Sequence, residues 1–185
     1  MYHFSMKVDK DIELVQPEVT YAEALFNVLD QNRLYLREYL SFIDYVKEVE
    51  HETQFIKMML TRQAEGTGRL FLIFINGSLQ GTIDLHAISN EHKKAEIGYW
   101  ISKSYSGKGI TTKAVRSICD FGFNTLGLNK ISLIADTENQ GSNKVALKSG
   151  FTFVCTDVED IMHYGTLRDM NRYALLKKDF NNTSR

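Results

Sequence analysis

From Trp100 to Ala114 the chain reads Trp-Ile-Ser-Lys-Ser-Tyr-Ser-Gly-Lys-Gly-Ile-Thr-Thr-Lys-Ala. Gly107 and Gly109 stand at the head of a helical pattern: Ile110, Ala114, Val115, Ile118 and Phe121 or Gly122 recur at the spacing of one helix face. The first turn of a helix carries N–H groups with no internal partner, and the aligned peptide dipoles add about half a positive charge there. Glycines let the main chain approach an anion without a Cβ in between. Such a turn suits a phosphate or a diphosphate. It is not a Walker A loop, because Lys108 lies between the glycines and no Gly-Lys-Ser/Thr follows. The third glycine of a dinucleotide fingerprint is also missing.

Other residues with chemistry to offer lie on either side of this loop. Glu96 falls in Ala95-Glu-Ile-Gly-Tyr-Trp-Ile101, a β run in which strand alternation puts it on one face with Gly98 and Trp100. Asn139 and Ser142 precede a short helical pattern, and Ser142 there reads as an N-cap. Glu159 and Asp160 read as an acidic turn. His86 and His92 are separated by a loop and lack a third ligand, and His3, His51 and His163 are isolated, so no metal is expected. Cys119 and Cys155 are far apart and read as two buried thiols. Lys108 and Lys113 read as electrostatic support for phosphates.

The elements that must position these residues follow from periodicity. Ile12–Gln16 alternates as a first strand. Thr20 stands three residues before Glu23, a capping-box pattern for a helix to about Asn32, and a second helix is predicted over Val46–Ala64, closed by Gly66 and Gly68. Between them Leu34–Leu40, rich in aromatics and leucine, reads either as a short core helix or as one wall of a cleft. Leu70–Ile75, Asn76-Gly77 and Leu79–Leu85 make a β-hairpin signal. After the Ala95–Ile101 strand come a helix from Gly109 to Leu126, a strand over Ile131–Ala135, a helix over Ser142–Lys148, and strands over Thr152–Asp157 and Asn171–Lys177. The order predicts an α/β (α+β) fold with a mixed central sheet of about seven strands flanked by helices. One domain over residues 1–180 is expected, with a short polar tail over 181–185.

Composition narrows the class. Apolar residues at 43% and charged residues at 24% exclude general disorder. A formal net charge of −1 gives no bulk attraction to nucleic acid or an anionic membrane. No apolar run approaches the ~20 residues of a membrane span, and Met1-Tyr-His-Phe-Ser-Met-Lys lacks signal-peptide architecture, so a cytoplasmic protein is expected.

The segment Ser106-Gly-Lys-Gly-Ile-Thr111, with Ala95–Trp100 upstream and Glu138–Phe151 downstream, resembles the linked motifs of the GNAT N-acetyltransferase superfamily. The similarity extends from the first strand to Asn171-Arg-Tyr-Ala174 and is to the branch that acetylates serine and alanine N-termini of ribosomal proteins. Ser106 stands where the family signature has Gln or Arg, and Thr111 where it has Gly or Ala. The resemblance implies acetyl-CoA as co-substrate. Trp100, Ile101 and Ser102 would pair with its pantetheine arm, and Gly107, Lys108, Gly109, Ile110, Thr111 and Thr112 would hold its pyrophosphate. It also implies a splay between the strands around residues 95–101 and 131–135 that admits the cofactor. Asn139 would contact cofactor or substrate, Ser142 would assist the departing thiolate, and Glu96 would act as base, with Glu159 and Asp160 as second candidates.

The acceptor stays open between a protein N-terminus and a small amine such as a polyamine, amino sugar or antibiotic, and a non-catalytic acyl-CoA-binding module is a third reading. The acceptor cleft is expected from Leu34–Tyr45 and Asp157–Leu167, where Glu38, Asp44, Glu48, Glu50 and Glu52 either attract a cation or form a solvated face. A homodimer is a further family expectation.

Overall fold

The structure is a computed structural model that describes residues 4–183. Its elements in chain order are β1 (Ser5–Asp9), β2 (Ile12–Val15), α1 (Ala22–Gln31), α2 (Arg33–Leu36), α3 (Val49–Glu65), β3 (Arg69–Ile75), β4 (Ser78–Ser89), β5 (Lys94–Ile101), α4 (Ile110–Asp120), β6 (Lys130–Asp136), α5 (Gln140–Lys148), β7 (Thr152–His163), β8 (Thr166–Leu176) and α6 (Lys177–Thr183). The strands form one sheet in the order β1-β2-β3-β4-β5-β6-β8-β7. All neighbours are antiparallel except β5 and β6, which run parallel.

Apolar side chains cover both faces of this sheet. Leu25 and Leu29 of α1 and Ile56 of α3 pack with Leu72 and Trp100 on one face. On the other, Val115 and Ile118 of α4 and Ala146 of α5 pack with Ile97, Ile101 and Leu133. Strand β5 thus sends even-numbered side chains to the first layer and odd-numbered ones to the second, as alternation requires.

Local signals account for most of the boundaries. Asn76 and Gly77 both take positive φ, 50° and 76°, the conformation of a two-residue hairpin turn. Gly66 ends α3 in the left-handed region. Tyr164 and Gly165, with φ of 48° and 80°, make a second such turn between β7 and β8. Gly81 answers a different need. A Cβ there would stand 2.2 Å from the Trp100 carbonyl oxygen, so only glycine lets β4 close on the end of β5.

Several expectations are corrected. The sheet is the mixed one expected, with eight strands against the about seven read from the sequence. The additional one is β1, a half-exposed strand that pairs only with β2 and so carries little apolar patterning. Thr20 does not cap α1: a 3-10 turn over Val19–Tyr21 precedes the helix, and its N-cap is Tyr21 without a side-chain bond. The helix after the glycine loop is α-helical only to Asp120 and continues as a π turn over Phe121–Thr125. Strands β7 and β8 extend well beyond the segments anticipated, because a bulge between Asp157 and Ile161 interrupts the alternation without ending the pairing. Helix α6 reaches Thr183, inside the stretch read as a tail. Cys119 is buried, which pushes its thiol pKa up, but Cys155 is only half-buried.

The acidic run over residues 38–52 does not act as one surface. Asp44 pairs with Arg37 at 2.9 Å, whereas Glu52 is 4% exposed on α3. Burial raises the Glu52 carboxyl to about 7. A carboxyl whose folded pKa exceeds its unfolded value adds stability at low pH and loses it as pH rises from the unfolded value through about 7. Glu52→Gln is therefore expected to be more stable than wild type at pH 8, by on the order of 2 kcal/mol, and nearly equal to it at pH 4.5. Urea denaturation at the two pH values measures this.

Candidate active site

Strands β5 and β6 pair over only three positions, Lys94 with Lys130, Ala95 with Ile131 and Glu96 with Ser132. Beyond these they separate, and β6 remains paired on its far side with β8 as far as Asp136. The gap opens into a cleft of about 690 Å³. Every residue of β5 from Glu96 to Ile101 lines it, as does every residue of β6 from Leu133 to Asp136. In an intact sheet alternate residues face opposite layers; here the missing hydrogen-bonded neighbour lets both faces reach one space.

At one end of the cleft lies the glycine loop. Gly107 and Gly109 have φ of 74° and 78°, and a Cβ at either would meet no protein atom. The need for glycine is thus the left-handed backbone rather than clearance from the protein. Gly109 is the N-cap of α4, and the first helical bond runs from the Lys113 N–H to the Gly109 carbonyl. Among the described residues, no main-chain N–H from Gly107 to Thr112 donates to a protein acceptor. Six consecutive free amides behind a helix dipole fit a diphosphate. Gly107, Gly109, Thr111 and Thr112 line the cleft directly.

Three of the expected cofactor residues have other partners. Ser102 is buried, and its N–H and hydroxyl donate to the Gln80 main-chain and side-chain oxygens at 2.8 and 2.7 Å, which pins the start of the loop to β4. Ile110 packs against the α4 core, and the Lys108 ammonium sits 5.3 Å from the Tyr105 ring centre. Lys113 is ion-paired with Asp9 of β1 rather than turned to a phosphate. Trp100 and Ile101 do line the cleft.

In the middle of the cleft, Asn139 rather than Ser142 caps α5. The Asn139 Oδ1 accepts the Ser142 N–H at 3.0 Å, which places Ser142 in the first turn. The Ser142 hydroxyl is therefore not used in capping and is hydrogen-bonded to the Tyr99 hydroxyl at 2.8 Å. Burial of Tyr99 raises its phenol to about 12, against the opposing effect of the Ser142 hydrogen bond, so it stays protonated in the neutral range. Alternation in the sequence directs attention to the face of Glu96 and away from Tyr99. Only the splay brings the two together on one cavity.

Glu96 stands at the last paired position before the strands part, and its Oε1 lies 3.1 Å from His86 Nε2. His86, set aside in the sequence because it and His92 lack a third metal ligand, does not line the cleft but sits directly behind Glu96. The signal available was Asp84-x-His86 on one strand, but its meaning depends on the register that sets His86 opposite Glu96. Glu159 and Asp160 fall in the β7 bulge and do not line the cleft. The Glu159 N–H donates to Asp169, Asp160 pairs with Arg172 at 3.2 Å, and β7 contributes Ile161 and His163 instead.

The segment at Leu34–Leu40 forms both a short helix and a wall. Leu36 is buried, the Tyr35 hydroxyl donates to Ser106 Oγ at 3.1 Å, and the Tyr39 hydroxyl donates to the Glu138 carbonyl at 3.3 Å. Two tyrosines thereby tie this wall to both banks of the cleft. At the same end, Asp136 faces Arg168 at 3.8 Å.

The capping geometry separates the two residues before α5. Asn139→Ala is expected to lower stability by about 1 kcal/mol, as loss of an N-cap does. Ser142→Ala should leave the unfolding midpoint close to wild type in chemical denaturation, since its main-chain N–H keeps the cap.

The chain matches the model of the acetyltransferase (GNAT) domain over residues 11–152. It is 32% identical over 178 residues to YdaF of Bacillus subtilis (strain 168), provisionally named a ribosomal N-acetyltransferase, covering 96% of this chain and 97% of that protein. It is 26% identical over 171 residues to the ribosomal-protein-serine acetyltransferase of Escherichia coli (strain K12), covering 92% and 95%. The fold matches that of RimL, a ribosomal L7/L12 alpha-N-protein acetyltransferase solved in complex with coenzyme A, with a TM-score of 0.90 at 24% identity over 94% of this chain and 98% of that one. With a family model spanning most of its length around this divided sheet, the chain belongs to the GNAT acetyltransferases and is an acetyl-CoA-dependent N-acetyltransferase.

Proposed function

We propose that the acceptor is the N-terminal α-amino group of a protein, with ribosomal proteins as the class. The charge inventory of the cleft carries this reading. Its two lining carboxylates each face a cation, Glu96 the His86 ring and Asp136 the Arg168 guanidinium, and Lys144 and Lys148 add positive charge. A polyamine presents several ammonium groups and calls for unmatched carboxylates, whereas a peptide N-terminus brings one ammonium followed by neutral backbone. The α-amino group also ionises near 7.7–8.0, against about 10.4 for an alkylamine, so a useful fraction is already neutral at physiological pH. The names of the two relatives that align nearly end to end support the same class.

Acetyl-CoA supplies the acetyl group as a thioester, activated towards a neutral amine. The free amides from Gly107 to Thr112 hold its diphosphate, and the unpaired edge of β5 beyond Glu96 receives the arm. As the N–C bond forms and the C–S bond breaks, Glu96 takes the proton released by the amine, directly or through water. Of the paired hydroxyls of Ser142 and Tyr99 one donates to the other, and the remaining O–H donates to the departing sulfur, which leaves as a thiolate stabilised by that hydrogen bond. Water then protonates the thiolate, and Glu96 returns its proton to solvent. Asn139 holds the first turn of α5 and with it the Ser142 hydroxyl.

Release of CoA thiol, measured against peptides beginning with Ser or Ala and against spermidine, tests the acceptor. Turnover with the peptides and not with spermidine is expected, with a gain of one acetyl group at the peptide N-terminus by mass spectrometry. Turnover with spermidine alone would overturn the reading.

Ser142→Ala and Tyr99→Phe should each lower kcat roughly ten- to a hundredfold. Acetyl-CoA affinity, read by calorimetry, should stay within a few-fold. Full turnover in both variants would remove the thiolate role.

A further inference from the structure

The pair β4–β5 carries a row of charged side chains on the face that Glu96 presents. His86 and Glu96 are direct cross-strand partners, and Asp84 lies two residues back, opposite Gly98. The imidazole is held at both nitrogens: Nδ1 is 2.6 Å from Asp84 Oδ1 and Nε2 is 3.1 Å from Glu96 Oε1. A neutral imidazole has one N–H and one lone pair, so it would set a lone pair against one of these carboxylates. The imidazolium satisfies both. In keeping with that, the hydrogen bond to Asp84 and then the one to Glu96 raise the ring to about 10, against the effect of burial.

The row depends on an absent side chain. A Cβ at Gly98 would lie 3.1 Å from Asp84 Oδ2 and 3.4 Å from His86 Cε1, so any larger residue would crowd the carboxylate and the ring. From β8, Arg172 also interacts electrostatically with Glu96, but its guanidinium is paired with Asp157 and Asp160. The row places two carboxylates and one imidazolium beside the point where β5 and β6 part.

We infer that His86, clamped by Asp84, is a positioning residue for Glu96: it occupies Oε1 and leaves the second carboxylate oxygen for the acceptor amine. Both ring nitrogens already carry protons, so the ring itself does not accept the amine's proton; that proton passes to the free oxygen of Glu96. The inference rests on Glu96 acting as the base, as proposed above.

The experiment is a double-substitution cycle with acetyl-CoA and the best acceptor peptide of the panel, reading kcat and KM separately and thermal unfolding in parallel. His86→Ala is expected to lower kcat roughly tenfold or more at an unchanged KM for acetyl-CoA, and His86→Gln, which keeps one donor, to recover part of the loss. In a Glu96→Gln background, His86→Ala should change kcat by no more than about twofold, because the group it acts through is gone. An equal loss in both backgrounds, or wild-type kcat in His86→Ala, overturns the assignment. Wild-type kcat in Glu96→Gln alone instead removes the base reading, and the His86 role with it. Should His86→Ala fail to fold, His86→Gln with and without Glu96→Gln gives the same comparison.

Discussion

The separation of β5 from β6 after Glu96 and Ser132 is the constraint on which the rest of the site depends. A parallel pair that stopped there with nothing to hold either strand would leave two frayed edges. Here each strand is anchored on its other side, β5 by β4 as far as Ile101 and β6 by β8 as far as Asp136. The hydrogen bonds forfeited in the gap are therefore those of one edge of each strand, and these groups remain available to a ligand. The close approach at Gly81 and the two Ser102 bonds to Gln80 fix the end of β5, and so fix where the glycine loop begins.

From this one opening the chemistry is distributed by depth. The loop end offers neutral amides and a helix dipole, suited to a diphosphate, without a committed side-chain cation: Lys113 is tied to Asp9, and Lys108 lies over Tyr105. The middle offers protonated hydroxyls, since burial keeps Tyr99 neutral and Asn139 relieves Ser142 of capping. The apex offers a carboxylate held by an imidazolium. The Tyr99 hydroxyl and the Glu96 carboxylate thus reach one cleft from opposite faces of one strand, a division that an unbroken sheet would forbid.

The aromatic wall joins these parts mechanically. Tyr35 bonds to Ser106 and Tyr39 to the Glu138 carbonyl, while Arg33 bonds to the Ile43 and Val46 carbonyls and to Asp30. Arg37 stacks 4.9 Å from the Tyr164 ring centre at the β7–β8 turn. This end of the cleft is thereby framed by two elements distant in sequence, and its shape depends on both.

The sequence by itself determined what is local. The glycine loop, the Asn-Gly hairpin, the glycine that stops α3 and the strand face of Glu96 all follow from backbone preference and short-range periodicity, and they were enough to point to a candidate anion-binding turn and, by resemblance, to identify the family. Where local chemistry was ambiguous the sequence left it so: Asn139 and Ser142 are both good caps, and only the observed bond from the Ser142 N–H to Asn139 decides between them. Tertiary structure alone decided which side chains meet. Tyr99 and Glu96 point to opposite layers by strand alternation, Asp84 and His86 acquire meaning only through their register with β5, and the bulge in β7 directs Glu159 and Asp160 away from the cleft. The physical reason is that hydrogen-bond register and the place where pairing stops are set by contacts between strands far apart in the chain, and no window along the sequence contains them.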